Sequence, residues 1–265
     1  MPRQRVGDIE IYYEIHGQGP QTLVLIRGLG SNLTAWYEQV PEFAKHFRVV
    51  VFDNRGAGRT DKPDAPYTIA QMAQDTAGLL DALKIDRIAL LGISMGGMIA
   101  QEFALAHQQR LSCLVLGCTH FGGKEAVGAA PPVIEALVAA EKANPEQRKL
   151  QIRSSFTEDA IANHREVIDK HEKVRMQYLI PPFAYQRQLQ AVLGFDASAR
   201  LATLHVPTLV LTGTDDILVP PENSKLIAQR IPNAVLKELP GAHLFFSEHP
   251  GPFNEAVIKF VQEHP

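Results

Sequence analysis

One serine lies between two glycines in the pentapeptide 92–96, which reads Gly-Ile-Ser-Met-Gly. An apolar run at 87–93 leads directly into it, and a helical pattern begins at Met95. On such a sharp strand-to-helix turn the serine hydroxyl is lifted above the sheet, since the glycines leave room for the crowded backbone. The alternative is that Ser94 only caps the following helix. The strand-turn-helix context favours a nucleophile that attacks a carbonyl carbon.

The elements that would position this serine are visible as further apolar runs bounded by Gly, Pro, Asn or Asp, the pattern of buried strands. The runs lie at residues 22–26, 48–52, 87–93, 111–117, 208–213 and 234–239. Helical patterns separate them, beginning at Thr68 and Met95 and covering 222–231 and 252–263. Because strand and helix alternate, the sequence predicts an α/β fold with a mostly parallel central sheet flanked by helices.

The stretch from residue 122 to residue 199 interrupts this alternation. Helical patterns occupy 131–143 and 157–180, with no convincing strand between them. We interpret the stretch as an inserted helical cap over the active site, while extra helices packed on one sheet edge are the alternative. The predicted organisation is a core domain formed by residues 1–121 and 200–265, with the cap at 122–199.

Composition and charge exclude several classes of protein. The chain has 26 Lys and Arg against 29 Asp and Glu, a net charge of -3, which provides no basic surface for nucleic acid. Residues 1–17 lack the apolar segment of a signal peptide, and no run approaches the roughly 18 apolar residues of a spanning helix. We therefore expect a cytoplasmic protein with no nucleic-acid or membrane partner.

Both cysteines of the chain, Cys113 and Cys118, fall in one strand-like run. An extended backbone would separate their Cα atoms by about 16 Å. A disulfide tolerates at most ~7 Å between Cα atoms. We expect two buried, unpaired thiols.

Several blocks occur in the order found in a known superfamily. Residues 49–63, VVVFDNRGAGRTDKP, are similar to its D-x-R-G-x-G-x-S segment, with Thr60 where serine is usual. The serine turn, a late aspartate turn and a terminal histidine loop follow. The chain thus resembles the α/β-hydrolase superfamily over nearly its whole length except the proposed cap. The run ISMGGMIAQEFA is most similar to the branch of 3-oxoadipate enol-lactonases, small-ester hydrolases, acyl-homoserine lactone hydrolases and cofactor-free haloperoxidases.

The resemblance implies a catalytic triad in the order serine, acid, histidine. These positions are Ser94, Asp216 and His243, with His243 as general base and Asp216 as the acid that orients it. Asp215 stays an alternative for the acid, because either aspartate could instead stabilise the turn after the strand. His249 is expected to be structural.

By the same resemblance, the backbone amides of Leu29 and Met95 form the oxyanion hole. The chain departs from the family at the loop after the first buried strand, where the usual His-Gly is replaced by Arg27 and Gly28. A backbone donor does not depend on that side chain, so the hole is still expected. Arg27 would pair with a carboxylate, either of the protein or of an acidic substrate.

Other candidate substrate-binding residues are His120, Phe121 and Phe183. His120 and Phe121 follow the strand at 111–117, and ligands enter parallel sheets at the carboxyl ends of their strands. Phe183 belongs to a group of apolar residues in the proposed cap, consistent with a pocket for an acyl chain or a compact lactone.

Taken with the resemblance, these residues imply a metal-independent serine esterase or lactonase of the EC 3.1.1 type, without cofactors, acting on a small-molecule ester or lactone. Acyl-homoserine lactones are among the candidate substrates. The spacing of His164 and His171 fits no common zinc motif. The same triad could instead support perhydrolysis, as in cofactor-free haloperoxidases, or carbon-carbon bond hydrolysis. A lactone-binding receptor is the alternative from a different class.

Overall fold

In the computed structural model, which describes residues 2–265 except for the side chain at position 141, an eight-stranded sheet forms the centre. Its strands are β1 Arg3–Val6, β2 Ile9–His16, β3 Thr22–Ile26, β4 Arg48–Phe52, β5 Ile88–Ile93, β6 Leu111–Gly117, β7 Thr208–Gly213 and β8 Val235–Leu239. The order across the sheet is β1-β2-β4-β3-β5-β6-β7-β8. From β4 to β8 neighbouring strands are parallel, which confirms the predicted mostly parallel sheet.

The two strands at the first edge were not predicted. β1 pairs antiparallel with β2, and β2 pairs antiparallel with β4. The first three residues of β1 are polar, and polar residues interrupt the apolar ones in β2; several of these side chains are exposed. They therefore lack the continuous apolar run that identifies a strand buried on both faces.

Helices cover both faces of the sheet. They are α1 Val40–Phe43, α2 Ile69–Ala82, α3 Met95–His107, α4 Pro131–Ala139, α5 Pro145–Ser155, α6 Glu158–Asn163, α7 Arg165–Arg175, α8 Pro182–Leu193, α9 Glu222–Arg230, α10 Phe245–Glu248 and α11 Pro250–Glu263. Short 3-10 turns occur at Leu33–Trp36, Gln108–Arg110, Ala140–Lys142 and Leu201–Thr203. None of the described helices combines the length and apolar character that crossing a membrane requires.

The alternation of side chains along the strands divides the core into two layers. In β3, Val24 and Ile26 pack in the layer that contains α2 and α3, whereas Leu23 and Leu25 pack in the layer that contains α11. Successive side chains of a strand point to opposite faces, so a strand buried on both faces must be apolar throughout. Cys113 and Cys118 are free and buried, as predicted.

Between β6 and β7 the chain forms α4 to α8 and contains no regular strand. The predicted helix at 157–180 is interrupted at His164, whose backbone leaves the helical region, and it ends at Arg175. Two helices of this segment, α5 and α8, were not anticipated individually. Asn144 begins α5, because its side chain accepts a hydrogen bond from the Gln147 amide at 2.9 Å.

Candidate active site

Ser94 lies at the sharp turn between β5 and α3. Its backbone has φ 54° and ψ -125°, a left-handed conformation that is strained for a residue with a side chain. A Cβ on Gly92 would overlap the Gly96 carbonyl, and a Cβ on Gly96 would overlap the Ile26 carbonyl. The two glycines therefore permit the close approach of strand and helix at this turn.

Hydrogen bonds on both sides hold the Ser94 backbone. Its N–H donates to the Gly117 carbonyl at 2.9 Å, and its own carbonyl accepts from the Thr119 hydroxyl at 2.8 Å. Thr119 is buried directly after β6. These contacts from the neighbouring strand keep the turn in its strained conformation.

Asp216 and His243, which are 27 residues apart in the sequence, meet at the carboxyl end of the sheet. Asp216 Oδ2 lies 2.7 Å from His243 Nδ1, and the two residues are 2% and 6% exposed. The other carboxylate oxygen accepts the amides of Leu218 and Val219 at 2.9 and 2.8 Å. A carboxylate on Nδ1 assigns the ring proton to that nitrogen and leaves Nε2 as the basic position.

The neighbouring Asp215 has a different environment. Its side chain is exposed and accepts a hydrogen bond from the Thr214 hydroxyl at 2.9 Å. Of the two aspartates left open by the sequence, Asp216 is the one that contacts the histidine.

Glu248 supports the histidine loop and was not anticipated. Its Oε1 accepts the Ala242 amide at 2.8 Å, and its Oε2 accepts the amide and hydroxyl of Thr157 at 3.0 and 2.7 Å. The carboxylate thereby connects the loop that carries His243 to the start of α6. Nothing in the sequence distinguishes Glu248 from the other acidic residues near the chain end.

The loop after β3 lies against the serine. A Cβ on Gly28 would be 3.0 Å from Ser94 Cβ and 3.3 Å from Ser94 Oγ. Across the described residues, no hydrogen bond uses the N–H of Leu29 or of Met95, the first residue of α3. Both amides are therefore free to donate to a bound group.

Gln188 of α8 fixes this loop from the other side. Its Oε1 accepts the Gly30 amide at 2.9 Å, and its Nε2 donates to the Arg55 carbonyl at 2.8 Å. Gly30 has φ 69°, and a Cβ there would lie 3.1 Å from the Tyr185 ring. A completely buried glutamine thus ties the segment between β6 and β7 to the loop beside Ser94. Sequence reasoning missed it, because a single glutamine in a helix carries no signal.

The residues that match the D-x-R-G segment form a structural frame. Asp53 accepts the amides of Leu33 and Arg59, both at 2.7 Å. Burial raises the pKa of Asp53, and the two backbone donors oppose that change. Arg55 binds Asp75 through two hydrogen bonds of 2.8 Å and also binds Asp8. Together these contacts hold the loops at this end of the sheet.

Arg27 contacts no carboxylate of the described residues. Its Cζ lies 4.8 Å from the Trp36 ring centre and 5.1 Å from that of Phe246. Its Nε donates to the Ser31 hydroxyl at 3.1 Å, and Nη1 has no hydrogen-bond partner. The expected pairing with a carboxylate of the protein is therefore not found. Burial lowers the pKa of Arg27 to about 10, so the side chain stays charged at neutral pH.

The remaining candidate residues occupy three different environments. His120 Nδ1 accepts the Gly122 amide at 3.0 Å, and burial lowers its pKa to about 4, so the ring is neutral at pH 7. Phe183 is partly exposed at the start of α8. Phe121 is completely buried in the core layer of α2 and α3, with Arg230 Cζ 4.4 Å from its ring centre. The Phe121 ring thus packs in the core, and its place in a substrate pocket stays a prediction.

Among the described side chains, which do not include position 141, no three His, Cys, Asp or Glu residues are grouped so that they could hold a metal ion. His164 is exposed beside Asp159 and Glu166. His171 instead packs edge-on against the Phe156 ring, with the ring centres 5.6 Å apart.

The chain is similar to several known hydrolases and lactone-degrading enzymes. A putative carbamate hydrolase RutD from Azorhizobium caulinodans is 32% identical, over 99% of each chain. The structure of the enol-lactonase from Burkholderia xenovorans LB400 is 29% identical, with a TM-score of 0.88 over 98% of this chain and 100% of that one. The structure of an N-acyl homoserine lactone degrading enzyme is also 29% identical, with a TM-score of 0.84 over 98% and 100%.

These relatives confirm the predicted likeness to the enol-lactonase and acyl-homoserine lactone hydrolase branch. The family model described as alpha/beta hydrolase fold matches residues 21–250. The chain therefore belongs to the alpha/beta hydrolase fold family.

Proposed function

We propose that the protein is a serine hydrolase that cleaves carboxylic esters or lactones through an acyl-enzyme, with Ser94, His243 and Asp216 as its triad. The observation that carries the proposal is the buried 2.7 Å contact between Asp216 and His243. It occurs at the same end of the sheet as the strained serine turn. A carboxylate on Nδ1 prepares Nε2 to act as a base towards a serine hydroxyl.

In the proposed reaction His243 Nε2 takes the Ser94 hydroxyl proton while Oγ attacks the carbonyl carbon. The carbonyl oxygen becomes an oxyanion and accepts the amides of Leu29 and Met95. Losing one such donor typically costs on the order of 3 kcal/mol in the barrier. Asp216 stabilises the positive charge on the imidazole while the tetrahedral intermediate exists.

The intermediate then collapses. The bond to the alkoxy oxygen breaks, and that oxygen takes the proton from His243. With an ester the alcohol leaves, whereas with a lactone it stays attached to the acyl group. His243 next removes a proton from water, which attacks the acyl-enzyme; the bond to Ser94 Oγ then breaks, Oγ takes that proton from His243, and the acid is released. No metal or cofactor takes part in this proposal.

The proposed domain organisation is a core of residues 1–121 and 200–265 with a helical cap at 122–199. Two contacts support it: Gln188 bonds the loop beside Ser94, and the Ser155 carbonyl accepts the Leu244 amide, next to His243, at 2.9 Å. In this proposal the cap shapes the pocket for a small-molecule substrate, since specificity resides in the segments around a shared triad.

Two lactone-cleaving relatives support lactones as substrates. The similarity to a putative carbamate hydrolase favours carbamates as a second candidate class. A carbamate carbonyl could be attacked by the same serine, with the oxyanion in the same place.

The test is turnover by purified protein and by Ser94→Ala, both in a chelator, on p-nitrophenyl esters of increasing acyl length, lactones and an aryl carbamate. We expect the wild type to hydrolyse esters or lactones and the variant to lose that turnover. Turnover retained by Ser94→Ala would contradict the assignment. Preference for the carbamate over every ester and lactone would select the second class.

A further inference from the structure

Arg27 is a buried positive charge for which the described residues provide no negative partner. The residue is 3% exposed, and no carboxylate of the described residues lies within salt-bridge distance of it. Its polar contact is a neutral hydroxyl, that of Ser31. Buried charges in proteins are otherwise paired, because removing an ion from water is costly. A bound anion would therefore stabilise the Arg27 charge.

The contacts of Arg27 determine the orientation in which its guanidinium could bind an anion. Trp36 and Phe246 pack against the guanidinium, and its Nε–H donates a hydrogen bond to Ser31. Nη1 has no partner. A guanidinium donates its hydrogen bonds in its own plane, and two parallel bonds match the two oxygens of a carboxylate. The fixed orientation and free donor favour a carboxylate over a spherical ion.

Neutral polar groups surround the charge and contribute no compensating negative charge. Trp36 Nε1 and the hydroxyls of Tyr37 and Ser247 are buried without a well-aligned hydrogen-bond partner. Burial raises the pKa of Tyr37, whereas the neighbouring Ser247 hydroxyl and the charges of Arg27 and Lys170 act in the opposite direction. The phenol is therefore neutral and can donate.

Among the described side chains between β6 and β7, no carboxylate lies within salt-bridge distance of Arg27. His171 of α7 is close enough to Arg27 for the guanidinium charge to affect its pKa. Burial, and then the charge of Arg27, lowers the pKa of His171 to about 4, which leaves its ring neutral. A neutral ring beside a buried cation leaves the charge of Arg27 unbalanced.

The charge lies beside the proposed catalytic residues. Arg27 directly precedes Gly28, which lies against Ser94 Oγ. Cys118 is near enough to Arg27 and Asp216 to be influenced by both. Phe246, which packs on Arg27, lies three residues after His243. An anionic group bound to Arg27 would therefore belong to a molecule that also reaches Ser94.

We propose that Arg27 binds a carboxylate of the substrate, so that the protein acts on esters or lactones that carry a free carboxylate. This inference rests on the proposed ester or lactone hydrolysis and names the substrate class of the same site. Arg27 is then a specificity-determining residue, and it takes the place of the usual histidine without altering the backbone donors.

The test compares two substrates of equal chain length, the mono-p-nitrophenyl ester of adipic acid and p-nitrophenyl hexanoate. The readout is the ratio of their kcat/KM values in the wild type, Arg27→Met, Arg27→Lys and the control Arg110→Met. Arg110 lies just before β6, at the opposite end of the sheet from the catalytic residues, and pairs with Asp81. Its substitution changes the net charge by the same amount.

We expect the wild type and Arg110→Met to prefer the charged ester. Arg27→Met should lower that ratio by about 10- to 100-fold, the range for a hydrogen-bonded charged group. Arg27→Lys should retain part of the preference, because it keeps the charge but loses the two parallel donors. The ratio is measured within one preparation, so partial misfolding of a variant cancels. A wild type that does not prefer the charged ester would overturn the proposal without any variant.

A binding measurement separates this proposal from the proposed function. Monomethyl adipate, methyl hexanoate, acetate and chloride are titrated by calorimetry into Ser94→Ala and into the same protein carrying Arg27→Met. Binding of monomethyl adipate that is lost with Arg27→Met supports the site even if neither ester is turned over. Equally tight binding of chloride or acetate would identify a site for a free anion and overturn the substrate assignment. Ser94-dependent turnover without preference for the charged ester contradicts the Arg27 proposal alone.

Discussion

At the scale of single residues, the environments of two adjacent aspartates define the proposed acid. Asp216 is buried, with one oxygen on His243 and the other on two backbone amides. Asp215 is exposed, and among the described contacts its side chain bonds only a threonine hydroxyl. The pair therefore provides a matched experiment in which the same chemical change is made at neighbouring positions.

Asp216→Asn should lower kcat by about 10⁴-fold, the size of the corresponding change in a serine protease. An amide in place of the carboxylate can donate to Nδ1, which selects the tautomer with the proton on Nε2 and removes the base. Steady-state kinetics measure the effect. Asp215→Asn should leave kcat nearly unchanged, and a large loss in that variant with little loss in Asp216→Asn would reverse the assignment.

The sequence pointed to candidates for the proposed triad where their neighbours are constrained. Ser94 requires glycines on both sides, and His243 follows a glycine after the last strand run. Supporting residues such as Glu248 have no such pattern. Glu248 bonds Ala242 and Thr157 only because the fold brings distant segments together. Pairing of this kind is not encoded in local spacing.

At the scale of elements, the loop after β3 depends on a helix far away in sequence. Gln188 of α8 satisfies the Gly30 amide and the Arg55 carbonyl at once. The loop contains the Leu29 amide, proposed as an oxyanion donor. In the proposed reaction Gln188 would therefore be a positioning residue that acts through the loop.

Gln188→Leu should lower kcat more than it raises KM, because a displaced donor weakens the transition state more than the bound substrate. It should also lower the free energy of unfolding by about 1–3 kcal/mol for a buried polar group left unpaired. Kinetics and denaturant unfolding check the two effects. Gln186→Leu, at an exposed position of the same helix, is the control. Equal effects in the two variants would contradict the positioning role.

Elements were predictable where burial on both faces produced a continuous apolar run. The six strands β3 to β8 follow the predicted runs closely, and α2 begins after Thr68 as the pattern indicated. The hairpin of β1 and β2 was missed, since an edge pair with exposed side chains lacks that run.

At the scale of the whole molecule, two partly buried histidines couple folding to pH. Burial lowers the pKa of His120 and of His171 to about 4, below the ordinary value of 6.5. As the pH falls below about 6.5, the unfolded chain binds protons before the folded protein does. Stability is therefore fully present above that pH and is lost progressively towards pH 4.

The free energy of unfolding should consequently be lower at pH 5 than at pH 7, and His120→Asn should reduce this difference. The asparagine oxygen can still accept the Gly122 amide that Nδ1 accepts, but it does not titrate. Urea unfolding at both pH values measures the change. His249→Asn, at an exposed position, is the control. An unaltered pH difference in His120→Asn would show that this ring is not responsible.

In the proposed mechanism Ser94 forms a covalent bond with the acyl group. The most direct test of this step is to treat the protein with a fluorophosphonate, which reacts with activated serines, and to locate the added mass by peptide mass spectrometry. We expect one adduct, on the peptide containing Ser94, that is absent from Ser94→Ala and strongly reduced in Asp216→Asn. An unmodified Ser94 in protein that still hydrolyses esters, or an adduct on another residue, would contradict this mechanism.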